Sequence, residues 1–231
     1  MNNHHLSNRK YYRVFIAFML YTLVLGLHTL FAQSTPSYKR YNVQSCIVEY
    51  SLGGSQKGSE TLYFDRWGMR EARYSNKELS MMGVQQKTNT LLITDYDWMY
   101  NIDLDKKTGT KTKNGIFQSL LKNAKNNDLI EAGMKMMKDM GGEKIGTEMV
   151  AGKTCDIWEI QKLGSKTWIC IAVPLKVAAK FAGVEITSVA TKVQEGATIP
   201  ESKFKVPAGV KVKEGKIGGS ISKKLKISKD Q

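Results

Sequence analysis

Apolar and polar side chains alternate most clearly over residues 97–105. Trp98, Tyr100, Ile102 and Leu104 occupy every second position, and Asp or Asn occupies most of the positions between them. A period of two is that of a β-strand, whose successive side chains point to opposite faces. The pattern therefore predicts a strand with one buried face and one face in water.

Weaker patterns predict further strands along the chain. Residues 43–52 and 60–65 flank a Gly-rich turn at 53–58, which predicts a long β-hairpin. A second alternation, of Phe or Val with Lys, occurs at 203–213 and is interrupted by Pro207, Ala208 and Gly209. The other predicted strands are 69–74, 144–149, 153–160, 166–172 and 183–194.

Two helices are predicted between these groups of strands. Residues 116–124 are the first candidate. Asn127 and Asp128 are capping residues for the second, which runs to Asp139 and stops at a pair of glycines. Antiparallel strands interrupted once by a helical insert predict an α+β fold.

The second helix is rich in methionine. Leu129, Met136, Met137 and Met140 share one stripe, and Met134 flanks it. Thioether side chains are unbranched and repack around varied apolar partners. The helix is therefore either a flexible lid over an apolar cavity or an ordinary helix packed on a sheet.

The N-terminal pattern is that of an export signal. Residues 2–13 carry three basic side chains and no acidic one, residues 15–27 are almost wholly apolar, and Ala32 is a small residue before Gln33. The apolar run is shorter than the ~20 residues that span a bilayer, so an uncleaved anchor is the weaker alternative. We predict a signal peptide at 1–32 and a periplasmic protein.

The remainder of the chain is predicted to be one domain. A flexible lead-in at 33–42 precedes the domain, which covers residues 43–213 and contains no Pro- or Ser-rich linker. Residues 214–231 are predicted to be a flexible basic tail.

Charge narrows the choice of partners. The net charge of +14 falls to +11 when the three basic residues of the signal are removed. In an exported protein, such a charge favours an anionic membrane surface or envelope proteins as partners over nucleic acid. The candidate membrane-surface residues are Lys223, Lys224, Lys226 and Lys229, and a solvated tail is the alternative.

Histidine is confined to the predicted signal, at His4, His5 and His28. A mature chain without imidazole disfavours histidine-based metal sites and general-base catalysis near neutral pH. We predict a protein that is not an enzyme, with no catalytic residue, metal site or cofactor. A hydrolase that uses two carboxylates is the remaining enzymatic alternative.

Three cysteines lie outside the signal, at Cys46, Cys155 and Cys170. Export permits a disulfide, and a hairpin would bring Cys155 and Cys170 near each other. The alternative is that they are small buried side chains, and the two interpretations stay open because the register of the hairpin is undetermined.

Three segments resemble exported bacterial proteins of the outer-membrane lipoprotein carrier superfamily, the LolA/LolB-like fold. The first is the hairpin SCIVEY at 45–50 with GSETLYFD at 58–65. The second is VAGKTCDIW at 150–158, followed by TWI at 167–169, and the third is FKVPAGV at 204–210. The resemblance spans residues 43–212.

This resemblance implies a curved antiparallel sheet, an incomplete barrel, with helices covering its concave face. It also implies binding of acyl chains of lipids or lipoproteins without chemistry, in an apolar cavity. The candidate lining residues are Leu62, Phe64, Trp98, Tyr100, Met134, Met137, Trp158 and Trp168. The alternative is a cell-envelope assembly factor of the same fold that presents a protein-binding surface.

Overall fold

The computed structural model describes residues 38–81, 84–124, 128–181 and 183–215. The predicted signal peptide and the four tail lysines lie outside the described residues. The described residues belong to one compact unit that begins at Tyr38.

Within the described ranges the chain forms twelve strands and two α-helices. The first six strands are β1 (Cys46–Gly54), β2 (Gln56–Asp65), β3 (Arg70–Met81), β4 (Val84–Asp95), β5 (Trp98–Asp103) and β6 (Thr108–Lys113). The helices are α1 (Gly115–Asn123) and α2 (Leu129–Asp139). The last six strands are β7 (Glu143–Val150), β8 (Lys153–Ile160), β9 (Ser165–Cys170), β10 (Val173–Phe181), β11 (Val184–Glu195) and β12 (Lys211–Glu214).

All twelve strands form one sheet, in the order β12-β6-β5-β4-β3-β2-β1-β11-β10-β9-β8-β7. Every neighbouring pair is antiparallel except β12 with β6, which is parallel. The sheet is open, because its two end strands do not pair with each other in the described part of the chain. The predicted α+β class is confirmed, with the correction that the sheet is mixed rather than wholly antiparallel.

The two faces of the sheet follow from the register. Val48, Leu62 and Arg73 are directly opposed on β1, β2 and β3 and define face A. Tyr63 and Ala72 are likewise opposed and define face B. Directly opposed residues of an antiparallel pair share a face, and a shift of one residue would exchange the faces.

The sheet curls toward face A at the end that contains β8. Lys153 on β8 forms an ion pair with Glu195 on β11, with 2.5 Å between Nζ and Oε1, although β9 and β10 lie between them. Glu195 is opposite Cys46 and therefore on face A. β-Bulges increase bending and twist, and register shifts occur in the β1–β11, β9–β10 and β7–β8 pairs. The predicted curvature is confirmed, and face A is the concave face here.

Side chains are buried in three clusters. The largest is centred on β1 and β2 of face A and continues into β8, β9 and β10. It comprises Tyr41, Cys46, Val48, Tyr50, Leu62, Phe64, Val150, Cys155, Trp168, Cys170, Val173, Leu175 and Ala190. A second cluster lies on face B, where Phe204 from the C-terminal segment packs on Ala72, Leu91, Ile93 and Ile102.

The third cluster joins the helices to the sheet. Asn114 caps α1 by accepting a hydrogen bond from the amide of Phe117, and Asp128 caps α2 by accepting from the amides of Ile130 and Glu131. The helices pack on each other and on Met69; the buried members are Met69, Phe117, Leu120, Leu129 and Ala132. In the described ranges, no helix is both long and apolar enough to cross a bilayer.

Two predictions of local structure are wrong. Residues 38–42 of the predicted flexible lead-in are packed: Tyr41 is 4% exposed, and its amide donates to the carbonyl of Trp67 over 3.0 Å. Most of the predicted strand at 203–213 is not a strand, because the chain forms a 3₁₀-helical turn at Glu201–Phe204 and pairs only from Lys211 onward.

A disulfide joins Cys155 and Cys170 across β8 and β9, with the two Cα atoms 4.4 Å apart. Cys46 is a buried free thiol. Of the two interpretations of this cysteine pair, the structure therefore supports the disulfide. The register of the β8–β9 hairpin explains the pairing, because the neighbouring Asp156 and Ile169 are directly opposed.

Candidate functional site

The predicted lining residues are divided between the two faces of the sheet. Leu62 and Phe64 are fully buried on face A. Tyr100 is opposite Ile93, which is opposite Ala72 of face B. Trp98 and Tyr100 are two residues apart on β5, so both lie on face B and are not brought together with Leu62 and Phe64.

Trp98 has cationic rather than apolar neighbours. The Nζ atoms of Lys111 and Lys113 each lie 3.9 Å from the centre of its ring. Such cation–π contacts are typical of a partly exposed aromatic side chain on a basic surface.

Trp168 belongs to the same buried cluster as Leu62 and Phe64. Its indole Nε1 donates to Oε2 of Glu148 over 2.6 Å, and Lys176 Nζ lies 4.2 Å from the ring centre. The polar atom of this indole is therefore satisfied within the protein.

Helix α2 carries two apolar stripes. Met136 packs with Leu129 and Ala132 in the helix cluster. Met134 and Met137 are half-buried on the other stripe, together with Ile130, and in the described part of the chain these three are not packed against any of the three clusters. This second stripe of Ile130, Met134 and Met137 is called the methionine stripe below.

Trp158 lies near the C-terminal end of the same helix. Lys138 Nζ is 6.0 Å from the centre of its ring. The side chain is only 6% exposed, and Nε1 has no hydrogen-bond partner among the described residues. A buried donor without an acceptor costs about 1–3 kcal/mol, so native proteins rarely keep one without a reason.

A row of opposed residues leads from Trp158 to Leu52. Trp158 is opposite Thr167, which is opposite Val177 on β10. Val177 is opposite Ser188, and Ser188 is opposite Leu52. On β8 itself, however, successive side chains alternate, and Cys155, not Trp158, belongs to the largest buried cluster.

The same row continues in the other direction along the sheet. Leu52 is opposite Gly58, which is opposite Lys77, which is opposite Thr88. Thr88 Oγ1 and the Oγ of Ser75, two residues from Lys77, are buried and have no hydrogen-bond partner among the described residues. Ser75 Oγ and Thr88 Oγ1 therefore lie on the same face of the sheet as Leu52.

Gly58 is required at its place in this row. Its φ is +135°, and a Cβ atom there would lie 2.1 Å from the carbonyl oxygen of Asn76. The backbones of β2 and β3 thus approach closely beside Lys77, which leaves the space above Gly58 free of a side chain.

A charged network lies beside these polar side chains on face A. Arg73 pairs with Glu60, and Arg40 Nη1 lies 3.2 Å from Oε1 of Glu71, which also accepts a hydrogen bond from the phenol of Tyr41. Burial alone disfavours the charged form of Arg73, but Glu60 and its other neighbours raise the pKa of Arg73 above its ordinary value. The carboxylates of this network are thus neutralised by partners.

Lys77 differs from these charged groups. It is half-buried, and no ion pair joins it to another of the described residues. Lys77, Ser75 and Thr88 are called the hydroxyl–lysine cluster below. Sequence reasoning missed this cluster because residues 75–96 carry no clear apolar period, and Ser or Thr on a strand gives no signal of its own.

Comparison with known proteins gives similarities of fold only. No protein-family model matches the chain, and no curated protein matches it. A solved structure of an uncharacterized conserved protein from Thermus thermophilus is 7% identical, with a TM-score of 0.49, over 75% of this chain and 91% of that chain. MucB is 11% identical, with a TM-score of 0.40, over 77% of this chain and 62% of that chain.

A domain of the outer membrane lipoprotein-sorting type from Vibrio parahaemolyticus is 10% identical, with a TM-score of 0.25, over 75% of this chain and 94% of that chain. Similarity at this level supports no statement about function, which has to rest on the residues of the chain itself.

Proposed function

We propose that the protein is a periplasmic binding protein or carrier for acyl chains of lipids or lipoproteins, which it holds on face A without chemistry. The observation that carries the proposal is the methionine stripe of α2, which is half-buried but not packed in a core cluster. The same helix approaches Trp158, a buried indole whose Nε1 has no hydrogen-bond partner among the described residues.

The chemistry of these residues suits an acyl chain. Methionine adapts its shape to a flexible apolar partner, and each methylene removed from water contributes about 0.8 kcal/mol. Leu62 and Phe64 form the apolar floor of face A. Trp98, Tyr100 and Trp168 are not part of the proposed site.

The test is native mass spectrometry of the full chain, secreted by its own signal and purified without detergent. We expect a co-purifying phospholipid or acylated peptide. Replacement of both Met134 and Met137 by Gln is expected to reduce the bound fraction, because polar amides oppose acyl-chain burial. Met149→Gln is the matched control, since Met149 is 61% exposed on β7.

A second function, a cell-envelope assembly factor, has one observation in its favour. β7 is an end strand of the sheet, and Ile145 and Met149 on it are 45% and 61% exposed. An exposed edge strand can take up a strand of a partner protein. A mass without ligand that persists when lipid is offered would contradict the acyl-chain proposal and favour this one.

A further inference from the structure

We propose that the hydroxyl–lysine cluster is a subsite for the phosphate group of the bound lipid. This inference rests on the proposed function and adds the polar end of the ligand to it. It is carried by one ammonium group and two hydroxyl groups on the same stretch of face A that have no ion-pair or hydrogen-bond partner among the described residues.

The register puts these groups within reach of one ligand group. Lys77 and Thr88 are directly opposed, and such residues have Cβ atoms about 4.5–5.5 Å apart. Ser75 is two residues from Lys77 on β3, so its side chain points to the same face about 7 Å away. A phosphate between the three side chains has oxygens on several sides, so it can accept a hydrogen bond of about 3 Å from each of them.

Burial makes this arrangement unusual for a sheet surface. Ser75 is 5% exposed, and neither its Oγ nor Thr88 Oγ1 meets an acceptor in the described part of the chain. Water reaches such atoms poorly, so each hydroxyl group loses its hydrogen bonds on folding. A ligand oxygen would restore them.

The charges around the cluster favour an anion. Glu60, which is directly opposite Ser75, is paired with Arg73, so its negative charge is compensated. Glu78, next to Lys77, points to face B, where Lys87 Nζ lies 3.7 Å from its Oε2. Within the described part of the chain, Lys77 therefore remains a positive charge without a carboxylate partner, beside two neutral donors, and this combination suits phosphate.

The test compares dioctanoyl-phosphatidylglycerol with dioctanoylglycerol, which has the same chains and no phosphate, by calorimetry below the critical micelle concentrations. We expect the phospholipid to bind at least about tenfold more tightly, because hydrogen bonds to a charged group are the strong ones. The variant Ser75→Ala/Lys77→Gln/Thr88→Val is expected to lose this difference and to bind dioctanoylglycerol as before.

A matched variant on face B, Lys57→Gln/Ser59→Ala, is expected to behave as the parent, because both residues are exposed and point away from the cluster. Folding of the triple variant is checked by its melting temperature. Removal of Ser75 Oγ and Thr88 Oγ1 is not expected to lower it, because an unsatisfied hydroxyl does not stabilise the folded state.

Each outcome decides a different point. Equal affinities for the two lipids in the parent protein would overturn the phosphate subsite and leave the proposed acyl-chain function intact. If neither lipid binds, the proposed function fails, and inorganic phosphate is then titrated alone. If inorganic phosphate binds to the parent protein and not to the triple variant, the subsite is one for free phosphate. If inorganic phosphate does not bind to the parent protein either, the phosphate subsite is overturned together with the proposed function.

Discussion

Arg70 and Glu201 form an ion pair, with 2.7 Å between Nη1 and Oε1, that ties β3 to the segment leading into β12. The same guanidinium binds Asp65 and lies 4.1 Å from the ring centre of Phe204. One side chain thus holds the C-terminal segment over the buried cluster of face B.

Replacement of Arg70 by Ala is expected to lower the free energy of unfolding by about 2 kcal/mol, because a largely buried cation leaves its carboxylate partners unpaired. Trypsin should then cleave faster after Lys203 and Lys205. The variant Arg70→Met keeps an apolar contact with Phe204 but loses the charge, so comparing it with Arg70→Ala distinguishes the effect of packing from the effect of the ion pairs. Unchanged proteolysis of both variants would contradict the proposed anchoring.

The disulfide between Cys155 and Cys170 closes a loop with a sequence separation of 15 residues. The loop-entropy model gives about 3 kcal/mol for a loop of this length. We expect dithiothreitol to lower the urea midpoint of the parent protein accordingly and to leave the midpoint of Cys155→Ala/Cys170→Ala unchanged. An equal response of both proteins would show that the reductant acts elsewhere.

Stability should fall at alkaline pH. Burial raises the pKa of the Cys46 thiol from 9.0 to about 11, and burial also raises the pKa of Tyr41 and of Tyr50. The unfolded chain ionises these groups first, so the folded state binds more protons and is favoured below their unfolded pKa values. This advantage is lost progressively as the pH rises above about 9.

Urea unfolding between pH 7 and pH 11 measures how the free energy of unfolding depends on pH. In a separate measurement at pH 8, the thiol of Cys46 should react slowly with iodoacetamide in the folded protein and rapidly after unfolding. The variant Tyr50→Phe should show a weaker decline, since one titrating group is removed. A constant free energy of unfolding up to pH 11 would contradict the assignment.

The indole of Trp168 reports the ionisation of Glu148. Hydrogen bonds from Lys176 and from Trp168 lower the pKa of Glu148 below its ordinary value of 4.5. The indole N–H resonance of Trp168 should therefore titrate with a midpoint below pH 4.5, because the bond is lost when the carboxylate gains its proton. Glu148→Gln should abolish this titration, and a midpoint above 4.5 would contradict the lowered pKa.

Local patterns predicted several elements closely. Helix α2 begins and ends within one residue of the prediction, because Asp128 caps its N-terminus through its own side chain. The predicted strand 153–160 coincides with β8. These are features that neighbouring residues determine among themselves.

Three strands were not predicted, for different physical reasons. β4 contains the polar stretch QQKTNT, and β6 has the sequence TGTKTK, so neither carries an apolar period. β10 contains Pro174, which lacks an amide donor and normally argues against a strand, but the structure places it at a register shift against β9. In all three cases hydrogen bonds to neighbouring strands outweigh the local preference.

The sequence by itself determined the α+β class, most of the strands, both helices and the methionine-rich character of α2. The tertiary structure alone decided which side chains share a face. The period of two shows that Trp98 and Tyr100 point the same way on β5, and that Leu62 and Phe64 do so on β2. It cannot show that the two pairs point to opposite sides, because this depends on the register of β3 and β4 between them. The hydroxyl–lysine cluster also depends on strand register, since only the pairing of β3 with β4 brings Thr88 opposite Lys77.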